Sequence, residues 1–365
     1  MHTACNNLRS VGGLQTPDTT NMTFSPRRSV LLGLLTATLT VTALSAAAQG
    51  SLDKPRELKV STAVGPAFAL GAAGERWAKL IAERGGGKLV AKLYPGAALA
   101  QRDPAREFLA LRDGPADLAV GSTLFWGLQV AELNVVGLPW IVPDPKALDA
   151  LIAGGMKQRF DAALVRAGVV PLAYAALGTR ALATATVDVQ TPDDLAGIAV
   201  RVTSTPLLYD VFRAFGAKPT AMAFADAQRE FAAGMLGAQE GTPATFAAAR
   251  LDALGIRRVV LWGAVAEVAV FAVNRTAWTG LTEAERGAVR DAALQAAAEL
   301  PELARAENDA ALDELRKRGV TITRLTASGR AAFAFAARSA YDKWAAAAGR
   351  ELVGEAEAAI KAANP

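Results

Sequence analysis

The chain has 365 residues, 39 of them basic and 35 acidic, for a net charge of +4. So even a balance, with no basic cluster and no interleaved aromatics, excludes a nucleic-acid-binding surface. The only Cys and the only His are Cys5 and His2, so the chain beyond them excludes disulfides, thiolate catalysis, Cys/His zinc sites and every Ser-His or Cys-His triad.

Arg27 and Arg28 precede an apolar run from Val30 to Leu44 and then Ser45-Ala46-Ala47-Ala48-Gln49. A basic region, an apolar stretch of about 7–15 residues and a small-x-small site predict a secretory leader over residues 1–48, cleaved after Ala48. The exported chain, beginning at Gln49, is expected in the periplasm. No later segment reaches the roughly 18 apolar residues of a membrane span.

From Leu58 onward strand-like and helix-like segments alternate. Leu58 to Val64 reads as a strand, and Ala67 to Arg84 as a helix with Leu70, Ala73, Trp77, Leu80 and Ile81 on one stripe. Gly85-Gly86-Gly87 stops it before a strand from Lys88 to Tyr94. Asp103-Pro104 supplies an N-cap and a first-turn proline for a helix to Asp113, ahead of a short buried strand at 117–120. This β-α-β-α-β order predicts a parallel sheet with helices on both faces.

The pattern resumes with strands at Val169–Ala176 and Ile198–Val202 and a helical turn at Thr191-Pro192-Asp193-Asp194. Helices follow at Leu207–Phe215 and Ala225–Gly234, with strands at 259–261 and 268–273. Thr282-Glu283-Ala284-Glu285 is a capping box opening a long helix to Arg318, which Pro301 is expected to kink. Further helices cover 326–348 and 351–363. The fold class is therefore α/β: a two-lobe clamshell with a long lobe-spanning helix and C-terminal packing helices. The expected division places 49–177 with about 267–306 in the first lobe, and 178–266 with about 307–365 in the second. A cleft between two lobes is the usual seat of a small ligand.

Four segments sharpen this reading: Gly178-Thr179-Arg180, Gly197-Ile198-Ala199-Val200-Arg201-Val202, the stretch Phe215 to Phe224, and Gly237-Ala238-Gln239-Glu240-Gly241-Thr242-Pro243. With Leu93-Tyr94-Pro95-Gly96, Gly137-Leu138-Pro139-Trp140 and Ala272-Val273-Asn274, they resemble the solute receptors of tripartite ATP-independent periplasmic (TRAP) transporters. The similarity spans the chain from Gln49 onward, in order. It implies a monomeric periplasmic receptor that binds a small organic acid and delivers it to small and large membrane permease subunits. No catalytic residue, cofactor or metal is expected, because the sequence has no phosphate-cradling Gly-x-x-x-x-Gly-Lys loop and no Cys or His beyond Cys5; a carboxylate-bound Ca²⁺ or Na⁺ bridging the ligand, as the resemblance implies for some relatives, is the alternative.

The resemblance assigns candidate ligand-binding residues, and each has a structural alternative. Arg201 matches the arginine that pairs with the ligand carboxylate, a role suited to a planar guanidinium fork that stays charged; otherwise it is a surface residue at a strand end. Arg180 matches a second carboxylate contact, or else braces the inter-lobe strand. Phe224 matches a pocket-lining aromatic, or else is plain core. Glu240 touches ligand, or else holds the hinge. Gly241 stands where relatives carry a ligand-contacting Asn. Trp126, with Phe125, walls the pocket or packs inside a lobe. Gly121 and Leu124 stand where sialic-acid receptors hold the ligand's glycerol tail with charged groups, so sialic acid is not expected to bind. The competing functions are a receptor for another carboxylate importer or sensor, and a carboxylate-processing enzyme without His or Cys.

Overall fold

The computed structural model describes residues 55–222 and 224–364; the expected leader lies outside them. Among the described residues, no helix is long and apolar enough to cross a membrane.

Among the described residues, eleven strands form two sheets. They are β1 (Arg56–Thr62), β2 (Leu89–Tyr94), β3 (Leu118–Ser122), β4 (Val169–Thr179), β5 (Ala181–Thr184), β6 (Ala199–Val202), β7 (Lys218–Ala221), β8 (Ala238–Gly241), β9 (Arg258–Leu261), β10 (Ala266–Asn274) and β11 (Thr321–Arg324). The first sheet runs β2-β1-β3-β10-β4 and the second β11-β9-β5-β8-β6-β7. As expected, β1 pairs parallel with β2 and β3. The sheet is nevertheless mixed, because β10 is antiparallel to both β3 and β4. The reason is its approach: β10 arrives from β9 of the other sheet through residues 262–265. A link so short enters the sheet from the opposite end, whereas a parallel strand needs a long crossover. In the second sheet β5 is the reversed strand, against β8 and β9, and only Arg180 separates it from β4.

Strand β10 is buried along its whole length, and its period of two serves two cores. Val268, Val270 and Ala272 meet one cluster, which includes Phe160, Leu148 and Trp126. Ala269, Phe271 and Val273 meet another, which includes Trp77, Ile81 and Leu300. The second sheet is likewise covered on both faces, by Phe212, Trp262 and Phe333 on one side and by Phe231, Phe246 and Leu315 on the other.

The helix Glu283–Lys317 starts at the expected capping box, with the Thr282 N–H donating to Glu285 at 2.7 Å, and it continues through Pro301. It packs on the helix Ala69–Arg84 and β4 beside the first sheet, and on the helix Pro243–Ala248 and β11 beside the second. The last helix is Arg350–Ala363. Its stripe of Leu352, Val353, Ala356 and Ile360 joins the core of the first sheet, against the helices Pro145–Leu151 and Gly154–Arg166. An apolar stripe packs wherever a complementary face lies open, and sequence position does not say which.

Candidate ligand-binding site

A cavity of about 870 Å³ lies between the sheets, within the usual range for small-ligand sites. The first-sheet side contributes Val64, Phe68, Asp103, Ser122 and Phe125, and the second-sheet side Arg201, Thr203, Met222, Phe224 and Gly241. The crossover supplies Gly178, Arg180 and Glu267, and the long helix supplies Ala304, Glu307 and Asn308. A more open depression of about 450 Å³, lined by Trp140, Arg338, Tyr341 and Glu357, lies elsewhere; Arg338 and Glu357 there are solvent-exposed.

Arg201 projects from β6 and is only 7% exposed. Its Nε and Nη2 donate to the Met222 carbonyl at 3.2 and 3.1 Å, and Nη1 makes a long 3.5 Å contact to the Glu240 carbonyl. The Phe224 ring lies 5.8 Å from the guanidinium carbon. A guanidinium has five N–H groups, so two remain, and none of its partners among the described residues is a carboxylate. Burial lowers its pKa to about 10, with attraction from Glu240 and repulsion from Arg180 acting in opposite senses. Arg201 is thus a buried cation at neutral pH whose charge is not neutralised by direct contact.

Arg180 is the reverse case. Its Nε reaches Glu240 Oε1, Nη1 reaches Glu267 Oε2 at 2.7 Å, and Nη2 donates to Thr203 Oγ1 at 3.0 Å and Glu240 Oε2 at 3.2 Å. Its backbone N–H donates to the Val265 carbonyl at 2.9 Å. Burial opposes its charge, but Glu240 and Glu267 more than compensate and hold its pKa above the ordinary arginine value. Although Arg180 lines the cavity, four side-chain bonds tie it to protein groups at the crossover.

The other candidates divide. Phe224 and Gly241 line the cavity. A Cβ on Gly241 would lie 2.7 Å from the Phe246 ring, so an Asn does not fit here without displacing that ring. Glu240 is fully buried and lies outside the lining, behind Arg180 and Thr203. Trp126 lies outside the lining: it is fully buried, edge-on to Phe108, while its neighbour Phe125 faces the cavity. The indole occupies the space beside Gly121, where a Cβ would come within 2.0 Å of it. Gly121→Ala is therefore expected to destabilise the protein by about 1–3 kcal/mol through overpacking, read as a lower urea midpoint with an unchanged slope.

The residues 60–347 match the family model "Bacterial extracellular solute-binding protein, family 7". The chain belongs to this family. Among the relatives of this family-7 receptor is the C4-dicarboxylate-binding periplasmic protein DctP of Rhodobacter capsulatus, 27% identical over 92% of this chain and 98% of that protein. A TRAP periplasmic solute-binding protein of Ralstonia eutropha, solved with (S)-2-acetolactate, is 42% identical, covering 84% of this chain and 98% of that one, with a TM-score of 0.80. Another, from Chromohalobacter salexigens with D-glucuronate, is 25% identical at a TM-score of 0.77, covering 83% and 99%. These likenesses bear out the two-lobe α/β fold and the reading as a solute receptor that is not an enzyme.

Several lining residues of the family-7 receptor escaped sequence reasoning. Glu267 was the most accessible, a lone carboxylate opening the otherwise apolar run of β10; it accepts from Ser122 Oγ as well as Arg180. Glu307 and Asn308 gave no signal, being two polar residues in a long polar-faced helix. Glu307 accepts the Ala69 N–H at 3.0 Å, capping a helix whose N-cap, Phe68, has no side-chain acceptor. Asn308 Oδ1 accepts the Ala244 N–H at 3.4 Å. Among the described residues, no group of three or more His, Cys, Asp or Glu is placed to hold a metal ion.

Proposed function

We propose that this family-7 receptor works in the periplasm as the monomeric, cofactor-free receptor of a TRAP transporter. It captures a small organic carboxylate between its lobes and delivers it to the small and large membrane permease subunits. The observation that carries this reading is Arg201, a buried cation lining the cleft with two N–H groups uncommitted. A carboxylate supplies the missing charge and two acceptors in one planar group. Phe224 stacks beneath that pair, and Arg180, Glu240 and Thr203 hold the floor of the site. Ligand contacts to both lobes offset the cost of closing them. The relatives' ligands, an acetohydroxy acid and a uronic acid, are of the same broad chemistry.

The test is a thermal-shift panel of organic acids followed by calorimetry, with the amide of the best acid as control. An acid that raises the melting temperature and an amide that does not are the expected result; equal affinity for both removes the carboxylate assignment. The pH dependence has a definite form. The guanidinium keeps its charge throughout the neutral and mildly alkaline range, so affinity for a fully ionised acid is expected to be level from about pH 7 to 9. A loss of affinity across that range in folded protein sinks the assignment.

A further inference from the structure

The charges around the cleft limit how much negative charge a ligand can bring. Three cations line it, Arg102, Arg180 and Arg201, with three carboxylates, Asp103, Glu267 and Glu307. Arg180 is already matched by Glu240 and Glu267. Arg102 is solvent-exposed, so pairing with it is screened and worth little. Asp103 caps a helical turn through the Ala105 N–H at 3.0 Å. Arg201 is then the buried cation left for a ligand, and it can serve one carboxylate.

Glu307 is half-buried, with one oxygen on the Ala69 N–H and no donor to the other among the described residues. Burial raises its pKa, partly offset by that backbone bond. Asp103 is as exposed as Arg102 and as screened, so Glu307 is the partly buried lining carboxylate without an ionic partner among the described residues; a second ligand carboxylate would meet that like charge, and a like charge rejects a competitor more sharply than extra attraction selects a partner. A neutral far end avoids this, and the open Glu307 oxygen can accept a hydrogen bond from it.

Resting on the receptor reading above, we infer that the cleft selects acids with a single carboxylate and a neutral far end, and that Glu307 enforces the rejection of dicarboxylates. The test is calorimetric titration of the wild type, Glu307→Gln and Arg201→Ala with butanoate against succinate and pentanoate against glutarate. Each pair has one chain length and differs in a terminal methyl or carboxylate. The wild type is expected to prefer each monoacid by about tenfold or more, a difference of about 1.4 kcal/mol. Glu307→Gln keeps an oxygen for the Ala69 N–H, and is expected to narrow the ratio to about threefold by improving the diacids. Diacids binding as tightly as monoacids, or a ratio unchanged in Glu307→Gln, overturns the inference. Tight succinate binding that Arg201→Ala abolishes leaves the receptor reading standing and removes only this one. Binding of neither acid, or binding indifferent to Arg201→Ala, removes both.

Discussion

Arg201→Ala is expected to weaken carboxylate binding by roughly 30- to several-thousand-fold, with a smaller effect on folding than any change at Arg180. Truncating one partner of a buried, hydrogen-bonded charge pair costs about 2–5 kcal/mol, and each 1.4 kcal/mol is about tenfold in affinity. The ligand carboxylate would enter a desolvated cleft that has lost, among the described residues, its only uncommitted buried cation. Folding suffers less because burial disfavours the Arg201 charge in the free protein, as its lowered pKa records. Its bonds to the protein are to the backbone carbonyls of Met222 and Glu240. Arg201→Lys keeps the charge but loses the fork, so it is expected to be substantially impaired as well. A folded Arg201→Lys protein that binds within about twofold of wild type refutes the bidentate clamp.

Arg180→Met is expected to act on stability first, lowering it by about 3–5 kcal/mol, the usual cost of leaving a buried charge without its partner. Here two carboxylates lose their cation together, Glu240 with a fully buried side chain and Glu267 with one only 10% exposed. Arg180 joins β4 to β5, while Glu240 sits on β8 and Glu267 on β10, so the loss loosens the junction of the two sheets. Urea unfolding measures this directly. The double variant Arg180→Met/Glu240→Gln is expected to regain part of the loss, because it removes one of the orphaned charges. A single Arg180→Met protein as stable as wild type would show that the network contributes nothing net.

The two arginines explain why the site was only partly legible. Each follows a glycine-containing segment at a strand end, and the resemblance assigned both to the ligand. What separates them is the company of acidic side chains that lie 60 and 87 positions further along the chain. The adjacent pair Phe125 and Trp126 was ambiguous for a similar reason. The absence of a side chain at Gly121 makes room for the indole inside the core, leaving Phe125 for the cavity. Strands β5, β7, β8 and β11 have four residues each, too few to display a period of two against background; β6 and β9 are as short, but each carries two valines that mark it as a strand.

Features that rest on local rules and on residue inventory were legible in the amino-acid order alone. The capping box at Thr282, the glycine stop at Gly85 and the stripe from Leu70 to Ile81 are encoded within a few residues, because caps and amphipathic faces are short-range physics. The lack of Cys and His beyond His2 and Cys5 removed most catalytic chemistries before any fold was considered. The reversal of β10, the packing of the last helix into the core beside the first sheet, and the pairing of Glu307 with Ala69 across 238 positions emerge only once the chain is packed. Those outcomes depend on which surfaces meet once the chain crosses between sheets, and buried charges acquire their roles from those meetings. Arg180 became a brace and Arg201 a cation open to the cleft because two carboxylates reached one guanidinium and none reached the other.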